Sequence, residues 1–119
     1  MKLEVYREFS GDYQRVGALS DETGAASFRY DSEYLSSQNA HAISNKLPLS
    51  DAPFSAAATK AFFGGIVPEG SLRGDIARVA KIDRRDYLGV LNQVRNEPIG
   101  ALLFSDERGI SQLHMGYEE

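Results

Sequence analysis

Cysteine and tryptophan are both missing from this 119-residue chain, histidine occurs only twice, and proline four times. Without cysteine there is no disulfide framework, thiolate zinc site, iron–sulfur cluster or cysteine nucleophile. A reducing cytoplasm fits such a composition. Long apolar runs are also missing, since nothing approaches the roughly 18 residues that span a bilayer. The N-terminal Leu3-Glu4-Val5-Tyr6-Arg7-Glu8 alternates and carries charge where a signal peptide needs an unbroken apolar core. A surplus of positive charge is lacking too. The net charge is −4 and the pI about 5.2, against the basic face that displaces counterions from nucleic acid. Composition thus implies a cytoplasmic single domain with no membrane and no direct nucleic-acid partner.

What is present reads as α+β. With 42% hydrophobic and 25% charged residues, the chain can bury one core. Leu3, Val5 and, after Tyr6, Arg7 and Phe9 keep a period of two over Lys2 to Phe9. Ser10-Gly11-Asp12 is a turn, and Gln14 to Leu19 forms a second run. After the polar Asp21 to Gly24, the residues Ala26, Phe28 and Tyr30 alternate again, which predicts an antiparallel meander. Asp31 or Ser32 can cap one short helical turn, and Ala42 to Leu49 reads as extended.

The second half has helical spacing. Pro53 suits a first helical turn, Phe54, Ala57, Ala58, Ala61 and Phe62 share a face, and Gly64-Gly65 is a stop. Leu72, Ile76, Val79 and Ala80 form a stripe expected to be buried, with Arg73, Asp75 and Arg78 on the wet side. Asp83 can cap a third helix, with Asp86 in its first turn and Tyr87, Leu88, Leu91 and Val94 inward. Gly100 to Phe104 is apolar enough for a returning strand. The expectation is a small antiparallel sheet, an N-terminal meander plus a returning C-terminal strand, packed with three to four short helices. One domain covers residues 1–105. Residues 106–119 form a polar extension in which Ile110, Leu113 and Met115 can make one more strand.

Catalytic kits are weak. His41 and His114 lie far apart, without the spacing of a metal pair. No serine stands in a nucleophile elbow, and neither glycine-rich stretch opens a helix in a phosphate loop. Asp83 and Asp86 read as a helix start rather than an acid/base dyad, and Arg84-Arg85 between them is locally neutral. No catalytic residue, metal or cofactor is expected.

The unusual stretch is Phe62 to Arg73. On a helix, Phe62 and Phe63 point about 100 degrees apart, so one of them can project towards a neighbouring strand or a partner. The alternative is that both rings fill the core. Pro68-Glu69-Gly70 is a rigid corner suited to presenting Ser71, Leu72 and Arg73, or else a plain connector. Phe63, Pro68, Glu69, Gly70, Ser71, Leu72 and Arg73 are the expected partner-binding residues.

Phe62-Phe63-Gly64-Gly65-Ile66-Val67-Pro68-Glu69-Gly70 with Leu72-Arg73 resembles the Phe-Phe-x-x-Leu-Leu-Pro-Glu-Gly stretch of the HipA family's N-terminal subdomain. Arg15 to Leu19, Phe28-Arg29-Tyr30 with Glu33-Tyr34-Leu35, Ile43-Ser44 with Leu47-Pro48-Leu49, and Gly100-Ala101-Leu102 resemble further pieces of it, in order. Asn96-Glu97-Pro98-Ile99 departs from the more usual Arg-Asp-Cys/Ser-x. The resemblance covers about residues 3 to 105. It implies a bacterial toxin–antitoxin setting, in which HipA-like serine/threonine kinases are toxins usually paired with a helix-turn-helix antitoxin. The family's nucleotide site and catalytic aspartates lie downstream of this subdomain. The chain is therefore expected to be similar to the small HipS proteins, which bind a shortened kinase and neutralise it. The expected partners are a HipA-like kinase core and a helix-turn-helix antitoxin. The alternatives are an assembly module bridging the two, or an N-terminal piece of a longer kinase.

Overall fold

The structure is a computed structural model, in which residues 1–22 and 24–106 are described. Strands β1 (Lys2–Phe9), β2 (Asp12–Ser20) and β3 (Ser27–Tyr30) precede helices α1 (Ser32–Leu35), α2 (Ala56–Ile66), α3 (Gly70–Ala80) and α4 (Tyr87–Gln93). Strand β4 (Leu102–Ser105) closes the order. The sheet runs β3-β2-β1-β4, antiparallel throughout, so the meander and the returning strand are both as expected. The extended segment expected around Ile110, Leu113 and Met115, and with it His114, lies outside the described residues.

Local chemistry accounts for most of these elements. Ser10 and Gly11 take positive φ (53° and 86°) and turn β1 into β2. Within that hairpin Val5 faces Gly17 while Tyr6 faces Arg15, so Val16 is left over as a bulge. The bulge shifts the inward phase. Leu3, Val5, Tyr6 and Val16 are buried, but Phe9 beyond it is exposed, against the unbroken alternation expected for β1. Both sheet edges are blunted. Phe28 N–H donates to Thr59 Oγ1 (3.1 Å) and Phe28 C=O accepts from Phe54 N–H (2.8 Å). On the other edge, Asn96 N–H donates to Phe104 O (2.7 Å). Such pairing removes the free ladder that would recruit another strand.

Several expected boundaries move. Asp31 precedes α1, but its side chain makes no capping hydrogen bond. Residues 42–49 form no strand; Leu47 N–H bonds Ser44 O (3.0 Å) in a tight turn. Helix α2 begins after Ser55, whose hydroxyl accepts from Ala58 N–H (3.1 Å), so Pro53 lies upstream of it. Gly64 and Gly65 stay helical. The stop is Pro68, which drives Val67 to extended backbone (ψ 154°). The buried face of α2 centres on Thr59 and Phe63, leaving Ala57 and Ala61 exposed, because Thr59 bonds Phe28 and Phe63 packs on its ring. Asp86, not Asp83, caps α4 by accepting from Gly89 N–H (3.0 Å).

The core lies between one face of the sheet and α2 with α4. Phe63 is its aromatic centre, with ring centroids 5.2 Å from Phe28, 4.9 Å from Phe62 and 5.9 Å from Phe104. The irregular stretch between α1 and α2 is tied down by two tyrosine hydroxyls. Tyr30 Oη donates to Leu47 O and accepts from Ile43 N–H (3.0 Å). Tyr34 Oη donates to His41 O (2.7 Å) and accepts from His41 N–H (2.9 Å). Burial also pushes the Tyr30 phenol above its ordinary pKa. Removing such a hydroxyl orphans a backbone donor and acceptor. Tyr30→Phe is expected to lower stability by about 2 kcal/mol in urea unfolding, and to expose residues 36–49 to limited proteolysis. An unchanged midpoint would mean that the loop is held by its apolar contacts alone.

Candidate docking surface

The corner between α2 and α3 is built by three devices. Pro68 ends α2, and Gly70 takes φ +65°, a value that other residues reach only with strain. Arg73 then reaches back, donating Nε–H to Pro68 O (2.8 Å) and Nη2–H to Gly64 O (3.4 Å). Gly64 O belongs to the last turn of α2, where helical acceptors are unpaired and the dipole favours a cation, and Pro68 O lies just beyond it. Arg84 adds a bond from Nη2 to Gly70 O (3.4 Å). Arg73 is accordingly a half-buried strut of the corner rather than a residue presented by it.

The expected partner-binding residues therefore separate. Phe63 is fully buried (0% exposed), so it offers no surface, and the ring left partly uncovered is Phe62. The physical reason is the helix phase: with Thr59 inward, Phe63 one turn later points inward too. Pro68 is half-buried, while Glu69, Gly70, Ser71 and Leu72 are exposed.

The stripe expected to bury α3 does the opposite. Leu72 is 56% and Val79 74% exposed, with Ile76 between them only half-buried; the helix turns Ala77 inward instead. Leu72, Ile76 and Val79 recur at four and three residues, so they form one apolar strip along the outside of α3. Asp75 and Arg78 flank it with an exposed ion pair (3.3 Å). The strip continues into a shallow groove lined by Ile76, Val79, Ala80 and, from α4, Gln93. Lys81 (φ 61°) ends the helix, and Ile82 N–H closes back on Ala77 O (2.9 Å), which holds the strip rigidly beside the corner. Large apolar side chains grouped on a surface in this way mark interaction sites more often than singly scattered ones do.

The remaining charged groups have local roles. Asp83 accepts from Arg85 N–H and pairs with its guanidinium (2.9 Å), which holds the carboxyl down at about 2. Asp86 is occupied as a cap, so the two carboxylates do not form a dyad. His41 is exposed and enters the structure through its backbone alone. Among the described residues no cluster of three His, Cys, Asp or Glu side chains could hold a metal ion, and no helix is long and apolar enough to cross a membrane.

A four-stranded antiparallel sheet backed by short helices, with a braced corner and, among the described residues, an exposed apolar helix face, defines a small α+β domain. The chain belongs to the HipA N-terminal domain family, whose profile matches residues 9–105. No curated protein matches it. Membership supports a HipA-related toxin–antitoxin context. It also gives the quoted motif pieces physical meanings. The Val16-Gly17 pair sits at the bulge, Tyr30 and Tyr34 pin the irregular stretch, and Leu47 fills the core.

Proposed function

We propose that the chain is a non-catalytic, antitoxin-like binding protein that docks on a HipA-like serine/threonine kinase core and holds it inactive. The observation that carries this reading is the exposed strip of Leu72, Ile76 and Val79 beside the braced Pro68–Leu72 corner. A short apolar helix face next to a rigid turn fits the groove-docking mode of helix recognition. Membership of the HipA N-terminal domain family supports a HipA-like kinase as the partner class of this reading. Inhibition further requires that the domain bind an inactive kinase conformation more tightly than the active one, since equal binding would shift nothing.

The test is co-purification with a HipA-like kinase core, followed by autophosphorylation of that kinase. The chain is expected to suppress the signal at saturation. The double variant Leu72→Arg/Val79→Arg is expected to weaken binding about a hundredfold, because truncated or charged anchors at the centre of an interface cost about 1–2 kcal/mol each. Both positions are exposed, so the variant's melting temperature should match that of the parent chain. Unchanged kinase activity at saturating binding would overturn inhibition, and undiminished binding of the double variant would overturn the surface.

A further inference from the structure

Away from the α3 strip, a groove of about 270 Å³ opens between the end of α2, the stretch after α1 and the approach to β4. Its walls are Ile43, Phe62, Ile66, Ile99 and Leu102, and its one charged lining residue is Arg7 on β1. The apolar members, except the buried Leu102, are only partly covered, and each is packed against the core on its inner side. They are therefore fixed in place while presenting carbon to the outside.

Arg7 is the anomaly. Each of the other arginines among the described residues reaches a carboxylate or carbonyl oxygen. Arg15 pairs with Glu4 (3.1 Å), Arg78 with Asp75 (3.3 Å) and Arg85 with Asp83 (2.9 Å). Arg29, Arg73, Arg84 and Arg95 bind backbone carbonyls at 2.8–3.4 Å. The bond found for Arg7 is a long one, 3.4 Å from Nη1 to the Tyr34 hydroxyl. That hydroxyl already donates to His41 O and accepts from His41 N–H. A guanidinium has five N–H donors arranged to grip a carboxylate on two oxygens. Among the described residues most of them find no acceptor, beside carbon walls that lower the local dielectric and strengthen any ion pair formed there.

We propose that this groove is a second docking site, and that it takes an acidic–apolar segment of a partner protein: one or two aliphatic side chains on the Ile43–Phe62–Ile66–Ile99 walls, followed by a carboxylate on Arg7. Charge complementarity selects the partner class. A nucleic acid would need several cations tracking its phosphates, and the groove has one cation among apolar residues. A second copy of this acidic chain would add its own −4 charge to the encounter. The proposal does not depend on the kinase reading.

The test uses the ¹⁵N-labelled chain and three synthetic peptides. The first is Gly-Ser-Leu-Leu-Glu-Glu-Ser-Gly, the second has both Glu replaced by Gln, and the third has both Leu replaced by Ala. The first is expected to shift the amide signals of Arg7, Ile43, Ile66 and Ala101 saturably. The Gln and Ala peptides are each expected to bind about tenfold more weakly. Arg7→Gln should abolish the preference for Glu over Gln, and Arg7→Lys should retain part of it, since an ammonium is not a two-pronged donor. Ala101 is exposed on the groove wall, so Ala101→Glu should keep the fold while blocking the site from within. That variant decides the matter if Arg7→Gln fails to fold. Three results would overturn the proposal: no saturable shift at those residues with the peptide at about 5 mM, equal binding of the Glu peptide and either control, or the same shifts on concentrating the chain alone. The titration contains no kinase, so its failure and a failure of kinase inhibition are separate results.

Discussion

Gly17→Ala is expected to cost about 3 kcal/mol of stability, at the upper end for overpacking a tight site, and Gly17→Val to leave no folded protein. Gly17 lies on β2 between two neighbours, facing Val5 of β1 and Tyr30 of β3. A Cβ there would run into the backbone carbonyl of Arg29 and come within 2.8 Å of the Phe28 ring. Neither obstacle is the loose end of a flexible side chain. The carbonyl belongs to the paired strand, and Phe28 is wedged between Tyr30 and Phe63 at centroid distances of 4.9 and 5.2 Å. Relief requires β3 to move away from β2, which would also strain the Phe28–Thr59 bond that fastens α2 to that edge. Since a small domain has only about 5–15 kcal/mol of net stability, a branched side chain at this point exceeds what it can absorb. Urea unfolding followed by circular dichroism measures the alanine variant. A midpoint equal to the parent's would show that β3 has room to give.

Phe63→Ala is expected to destabilise the chain by about 3–5 kcal/mol, whereas Leu72→Ala, nine residues on, should stay within about 0.5 kcal/mol of the parent. Phe63 is surrounded by Phe28, Phe62 and Phe104, so its removal leaves a cavity whose lining is held by the sheet and cannot collapse. Leu72 is mostly in water already, and truncation takes almost nothing from the fold. The same pair of variants separates folding from docking. Leu72→Ala should weaken kinase binding with its melting temperature intact. Phe63→Ala should lower both in proportion to the unfolded fraction. If the two substitutions cost the same stability, the assignment of Phe63 to the core and Leu72 to the surface would be wrong.

The difference between these neighbours shows where sequence reading stops. Two adjacent phenylalanines on a helix must diverge, and that much follows from helical geometry. Which of them faces the core depends on what the helix packs against, and here Phe28 and Phe104 of the sheet take Phe63. Phe54, Ala57, Ala58, Ala61 and Phe62 do share a face by spacing, but the domain buries the face one residue on, centred on Thr59 and Phe63. Helix α3 shows a related limit. Leu72, Ile76, Val79 and Ala80 do share a stripe, but an apolar stripe says only that the helix has two unlike sides. The side turned inward is the one carrying the buried Ala77. Arg73 likewise read as a solvent residue, yet it braces the corner through carbonyls that no residue pattern encodes. The groove proposed around Arg7 had no signal at all, because an arginine in an alternating strand is ordinary until its surroundings among the described residues, with no carboxylate against it, are seen in three dimensions.

Part of the local chemistry was legible, though not the helix caps and stops. The alternation of β3 and of β1 up to its bulge, the turn at Ser10-Gly11, the corner at Pro68-Glu69-Gly70 and the returning Leu102–Phe104 strand depend on backbone preferences and on nearest neighbours in the chain, which the sequence states directly. The same holds for what cysteine-free composition excludes. The tertiary structure alone decided which apolar faces are satisfied and which are left over. Burial is a property of pairs of surfaces, and the second member of each pair comes from a distant part of the chain. For the α3 strip and the Arg7 groove, no part of the described chain supplies it.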